Sequence, residues 1–296
     1  MTIAKIIAPI TGAKRDSGVL AAAFAAAKPF NAHVVALLVR PDPRLTVPAM
    51  GAPLSPEIMQ NTINAAEELN EAVANAARAT LARAASVANV AVIERPETGR
   101  TVTCSYREID GLFADTVARA AHLCDLVVFG SLAATDGGDV NDCFVDVLTK
   151  TDRPVLLSTA APANITGHVA IAWDGGAAAC HAVTRAMPFL KRAQSITVLH
   201  TRENNNDDEM GYGLTGRASL HELRDYLGLH GIARKETTFE RGSKSVGEAL
   251  LDAALDHGAD LLVMGGYSHS HLRESIFGGV TAHIRWHAEL PVLMVH

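Results

Sequence analysis

Short apolar runs of four to six residues alternate with longer Ala- and Leu-rich stretches along the whole chain. In the first half the runs lie near Ile6–Ile10, Val34–Val39, Val90–Glu94, Leu126–Gly130 and Val155–Leu157, with helices beginning near Asp16, Pro56, Ile109 and Asn141. In the second half they lie near Val169–Trp173, Ile196–His200, Arg234–Phe239, Leu261–Gly265 and Val292–Val295, with helices beginning near Ala177, Gly216, Val246 and Ser275. Runs that are apolar on both faces, separated by helical stretches, predict a buried parallel sheet with helices on either side. The expected fold class is α/β, with two tandem doubly wound domains, each a five-stranded parallel sheet flanked by helices.

The two halves repeat one another. CDLVVFGS from Cys124 aligns with ADLLVMGG from Ala259, pairing Asp125 with Asp260 and Gly130 with Gly265 at an offset of 135. RPVLLST aligns with LPVLMVH, pairing Pro154 with Pro291 at 137. Val39 falls on Thr201 at an offset of 162, and Thr11 falls on Asp174 at 163. The small-residue and Pro-bearing stretch around Pro162 is the expected linker, which places the units at 1–161 and 162–296. By subtraction of these offsets the first copy carries about 27 extra residues after its second strand. They lie in a Pro-rich loop (RPDPRLTVPAMGAPLSPE) and a long acidic helix from Glu57 to about Ser86, read as a lengthened surface helix, with a partner-docking arm as the alternative.

Composition narrows the function classes. The 296 residues are 48% hydrophobic and 20% charged, with a net charge of −6, so the chain has material for packed cores and lacks the basic balance of a nucleic-acid binder. Cys104, Cys124, Cys143 and Cys180 form no CxxC pair and no ligand-spaced cluster, which excludes a disulfide framework and a Cys-rich zinc site. Neither a leader-like segment nor a membrane-length apolar run is seen, so a cytoplasmic location is expected, without membrane association.

In a doubly wound sheet a ligand sits beyond the carboxyl ends of the strands, where the strand order reverses. In the second half this selects Asp174, Gly175 and Gly176 after the first strand, Thr201 and Arg202 after the second, and the loop that starts Gly265-Gly266-Tyr267-Ser268 after the fourth. In that loop, Gly265 and Gly266 allow close approach of backbone. Ser268 and Ser270 add hydroxyls, and His269, His271 and Arg273 add protonatable or positive groups. Gly278 and Gly279 stand where the last helix begins and its amides favour an anion. A phosphate is the ligand such a set would solvate. Neither Walker A nor GxGxxG is present.

The duplicated unit, Asp174 closing the first strand and the spaced loop together resemble the universal stress protein family over nearly the whole chain. That family's nucleotide loop is G-x2-G-x9-G-(S/T); here it reads Gly265-x2-Ser268-x9-Gly278-Gly279. The spacing fits, while Ser268 replaces a glycine and Gly279 replaces the hydroxyl residue, a donor worth about 0.5–1.5 kcal/mol. Thr281 is the nearby hydroxyl available to compensate. The resemblance implies five-stranded units, pairing of units through their last strands, and binding of ATP, alone or with Mg2+. It implies that Asp174 and Thr201 face the adenosine end, and that Gly265, Ser268, Gly278, Gly279 and Val280 face ribose and phosphates; Trp173 and His269 complete the candidate set.

In the first half Thr11 stands for Asp174, and the loop is acidic, with Asp136, Asp139, Asp142 and Asp146. Acidic groups repel phosphate, so this unit is read as non-binding and as the partner in an intrachain pseudo-dimer. Neither a catalytic constellation nor a metal-ligand set emerges. Three functions follow: an adenine-nucleotide-binding stress-response or signalling protein, a nucleotide-free interaction protein, or a slow nucleotide hydrolase using His269 or His271. Whether two chains associate into a homodimer is left open.

Overall fold

The computed structural model describes residues 2–42, 55–96, 99, 101–130, 138–159, 164–201, 217–266 and 279–296. The first half contains β1 (Lys5–Ile10), α1 (Asp16–Ala27), β2 (His33–Arg40), α2 (Pro56–Ala88), β3 (Ala91–Val92), β4 (Thr103–Asp110), α3 (Phe113–Ala121), β5 (Leu126–Phe129), α4 (Gly138–Lys150) and β6 (Val155–Leu157). The second contains β7 (His168–Ala172), α5 (Ala177–Leu190), β8 (Ser195–His200), α6 (Leu220–Leu229), β9 (Lys235–Thr238), α7 (Val246–Asp256), β10 (Leu261–Gly265), α8 (Gly279–His287) and β11 (Val292–Val295).

All these strands join one sheet, in the order β3-β4-β2-β1-β5-β6-β11-β10-β7-β8-β9. Within each half the pairing is parallel; β6 and β11 meet antiparallel, with Val155, Leu156 and Leu157 opposite Met294, Leu293 and Val292. Each last strand would otherwise be an unpaired, fully apolar edge, and the intrachain seam removes both edges at once. The two halves thus pair through their last strands. Pro162, the expected boundary, lies outside the described residues.

Helices α1, α2, α5 and α6 cover one face over a core that includes Leu20, Phe24, Val183 and Leu223. Helices α3, α4, α7 and α8 cover the other, over Val117, Phe144, Leu250 and Ile284. Both cores run across the seam. The aligned acidic pair does the same work twice. Asp125 Oδ2 accepts the N–H groups of Ala4 and Lys5 at 2.8 and 2.9 Å, and Asp260 Oδ2 accepts that of His168 at 2.7 Å. Each carboxylate thereby ties the start of its half's fourth long strand to the start of its first.

Two expectations for the first half change. The run near Val90–Glu94 contributes only the two-residue edge strand β3, and an eight-residue strand, β4, was not anticipated. The first half therefore has six strands where five were expected. The sequence of β4, TCSYREID, hides its strand character because its polar groups find partners only after folding. Tyr106 Oη and Arg78 Nη2 each donate to Glu108 Oε1 at 2.6 Å, and Arg40 Nε donates to Asp110 Oδ1 at 2.9 Å. The long helix is real: α2 runs for 33 residues, capped by the Ser55 hydroxyl, which accepts the Ile58 N–H, and stopped by Asn89 in a left-handed conformation. Its buried face is Ala74, Ala77, Leu81 and Ala85, spaced for one helical stripe. Among the described residues no helix is long and apolar enough to cross a membrane.

Candidate functional site

The strand order places the switch point of the second half between β7 and β10 and that of the first between β1 and β5. In the second half, β7 leads through buried Trp173 to Asp174 and then Gly175, whose φ of +73° suits glycine. A Cβ on Gly175 would stand 2.2 Å from the Ala218 carbonyl oxygen. The Ala218 N–H donates to Gly175 O at 2.8 Å, so the chain entering α6 is locked onto this turn. Asp174 Oδ1 accepts the Gly176 N–H at 2.9 Å, and Arg217 Nη1 donates to the Asp174 carbonyl oxygen at 3.3 Å. Gly176 then opens α5 with no side-chain cap, and the first turn contains no acidic residue. Helix geometry leaves the amides of Ala177, Ala178 and Ala179 without intrahelical acceptors, and the helix dipole makes this end attractive to an anion.

Gly265, at the end of β10, lies directly on that first turn. A Cβ there would be 2.6 Å from the Ala178 carbonyl carbon and 2.7 Å from the Ala179 nitrogen. Its glycine is required by close packing of strand end on helix start. Gly266 donates its N–H to Val295 O at 2.8 Å, and a Cβ on it would be 3.1 Å from Leu148 Cδ2 of α4, so the first half touches the second half's site. Thr201 follows β8, one strand further from the switch point. Gly279 begins α8 in the open, and Val280 packs beside Gly247 of α7. Thr281 is buried, with its methyl 3.9 Å from the Gly266 Cβ position. Asp174, Gly265 and the start of α5 are thus brought together, with Trp173 adjoining Asp174. Ser268, His269 and Gly278 lie outside the described residues. Arg217 and His200 belong to this end of the sheet and were not singled out from sequence; their residue types alone carry no signal there.

The first half repeats the backbone and reverses the chemistry. Gly12 has a φ of +78°, as its counterpart Gly175 has +73°. Thr11 replaces Asp174, and the carboxylate comes instead from Asp16 in the first turn of α1. Asp16 accepts the Thr11 N–H at 3.0 Å, the Gly12 N–H at 2.7 Å and the Thr11 hydroxyl at 3.2 Å. It is 1% exposed. Burial pushes its carboxyl above the usual range, against the downward pull of those hydrogen bonds. The turn is filled by the protein's own acid. A small cavity persists beside it, lined by Pro9, Thr11, Arg15, Asp16, Phe113 and Phe129, so its walls are largely apolar and include a carboxyl group. Val73 of α2 closes over Gly12, its Cγ1 2.7 Å from a Cβ placed there.

Three of the cysteines are buried and none has an activating neighbour that outweighs desolvation. Burial raises Cys104 to about 11 and Cys124 to about 12, and moves Cys143 and Cys180 in the same direction. Among the described residues no three His, Cys, Asp or Glu side chains are grouped to hold a metal ion.

Comparison with known proteins places this geometry. The model of the universal stress protein family matches residues 166–296. Over the whole chain the fold is similar to that of a universal stress protein from Archaeoglobus fulgidus DSM 4304, at 15% identity and a TM-score of 0.59, covering 98% of this chain and 95% of that one. It is also similar to a functionally unknown protein from Pseudomonas aeruginosa PAO1, at 16% identity and a TM-score of 0.55, covering 99% and 92%. At these identities the likeness is one of fold. Among curated proteins none matches the chain significantly.

Proposed function

We propose that this chain, whose second half belongs to the universal stress protein family, binds an adenine nucleotide at the β7/β10 switch point and acts as a stress-response or signalling module. ATP is the nucleotide expected, and Mg2+ would arrive on its phosphates. One observation carries the reading: the first turn of α5 has no acidic residue, whereas in the first turn of α1 Asp16 folds back onto the Thr11 and Gly12 amides. The phosphates are assigned to the start of α5 and to the loop that begins at Gly265. Asp174 and Thr201 are assigned to the adenosine end, with Trp173 beside them. Ser268, His269, Gly278, Gly279 and Val280 are proposed to complete the phosphate side. The first half, residues 1–161, is proposed as the non-binding partner of 162–296.

The test is to purify the chain without added nucleotide, denature it and identify the released small molecules by mass spectrometry, followed by ATP titration. One adenine nucleotide per chain, or saturable binding at one site, is expected. An empty protein that also fails to bind ATP would overturn the proposal.

A further inference from the structure

The two halves differ residue by residue where their first and second strands end. In the first half Ile10 ends β1 and Leu38 stands two residues before the end of β2, 0% and 1% exposed. The same offsets that align the halves place Trp173 and His200 there in the second, at 7% and 5% exposed. Leu38 demonstrates that the fold is satisfied by an apolar side chain at this position. His200 is more expensive. Its Nε2 lies 3.5 Å from the Thr238 hydroxyl, at the limit of a hydrogen bond. Among the described residues its Nδ1 has no hydrogen-bond partner. Leaving a buried polar nitrogen unpaired disfavours the folded state, so its presence calls for an explanation.

The other strand histidines sharpen the contrast. His33, first in β2, has Thr103 Oγ1 at 2.8 Å on one ring nitrogen and Ser105 Oγ at 2.9 Å on the other. His168, first in β7, has Thr197 Oγ1 at 2.9 Å. Both sit at the amino ends of their strands, away from the switch point. His200 is last in β8, adjacent to Thr201, at the end of the sheet where a ligand binds.

We infer that His200 is a further ligand-binding residue, its Nδ1 completed by a hydrogen bond to the base or sugar of the nucleotide. The inference rests on the nucleotide-binding reading above. It selects the nucleoside end because β8 lies on the far side of β7 from β10, whereas the phosphate donors gather at α5 and Gly265.

The test is His200→Leu, which installs the residue of the first half. Wild type and variant are titrated calorimetrically with ATP, adenosine and inorganic triphosphate. The variant is expected to keep or raise its Tm, and to lose about tenfold in affinity for ATP and adenosine. Its affinity for inorganic triphosphate should be unchanged. His200→Gln, which restores a hydrogen-bonding group, should recover part of the loss and provides a second folded variant. Unchanged ATP and adenosine binding in His200→Leu would overturn the inference and leave the nucleotide reading intact. An equal loss for inorganic triphosphate would overturn it too, by revealing a general structural effect. A wild-type chain that binds none of the three would overturn both.

Discussion

The turns after β1 and after β7 share a backbone and differ in the position of one carboxylate. Where the second half carries it on the strand end, as Asp174, the first half carries it five residues later, as Asp16. At Asp174 it braces the turn through Gly176, and the first turn of the helix has no acidic residue. At Asp16 it folds back and accepts the Thr11 and Gly12 amides of the turn. A duplicated fold can therefore keep its architecture while one copy becomes its own ligand. The first half also retains a structural task, because α4 reaches across the seam to Gly266.

The contact across the seam offers the largest test. Leu148→Ala removes a fully buried side chain in α4, and Leu20→Ala removes one in α1; each should cost about 2–5 kcal/mol in chemical denaturation. Only Leu148→Ala should also weaken nucleotide binding, because it frees Gly266. Equal affinities in the two variants would show that the first half does not shape the site. A smaller effect is expected from moving the acid. Asp16→Ala leaves the Thr11 and Gly12 amides without their acceptor and should cost about 1–3 kcal/mol, with no effect on nucleotide binding. The reverse change, Ala179→Asp, places a carboxylate at the position that aligns with Asp16, at the offset of 163. It should remove ATP binding in a titration; retained affinity would mean that the start of α5 is not where phosphate sits.

The smallest effect is a reporter rather than a perturbation. Cys180 lies in α5, half-buried, with its Sγ 3.9 Å from Gly175 O. The other three thiols are buried, and burial lifts Cys104 to about 11 and Cys124 to about 12, so at pH 8 they carry almost no thiolate. Iodoacetamide should modify Cys180 first, and the others only on unfolding. Bound nucleotide should slow Cys180 alone, read by peptide mass spectrometry. Uniform protection of all four by ligand would indicate global stabilisation rather than a site in the second half.

The duplication, the α/β class and the equivalence of Asp125 with Asp260 are legible from residues alone. They depend on local hydrophobic runs and on spacings that a linear chain preserves. Asp174 was legible for the same reason: it ends an apolar run at a place the fold class reserves for ligands. The strand β4 was not, because the ion pairs that let Tyr106, Glu108 and Asp110 enter a sheet join residues far apart in the chain. Nor was the role of Asp16, which looks like an ordinary first-turn acid until the turn curls back onto it. The packing reason for Gly265, the reach of Leu148 and the unsatisfied nitrogen of His200 are likewise products of assembly. Periodicity and spacing determine which elements form and in what order, because they act within a few residues. Which polar group is filled by the protein and which is left for a ligand depends on distances between segments, and those exist only once the sheet has closed across its seam.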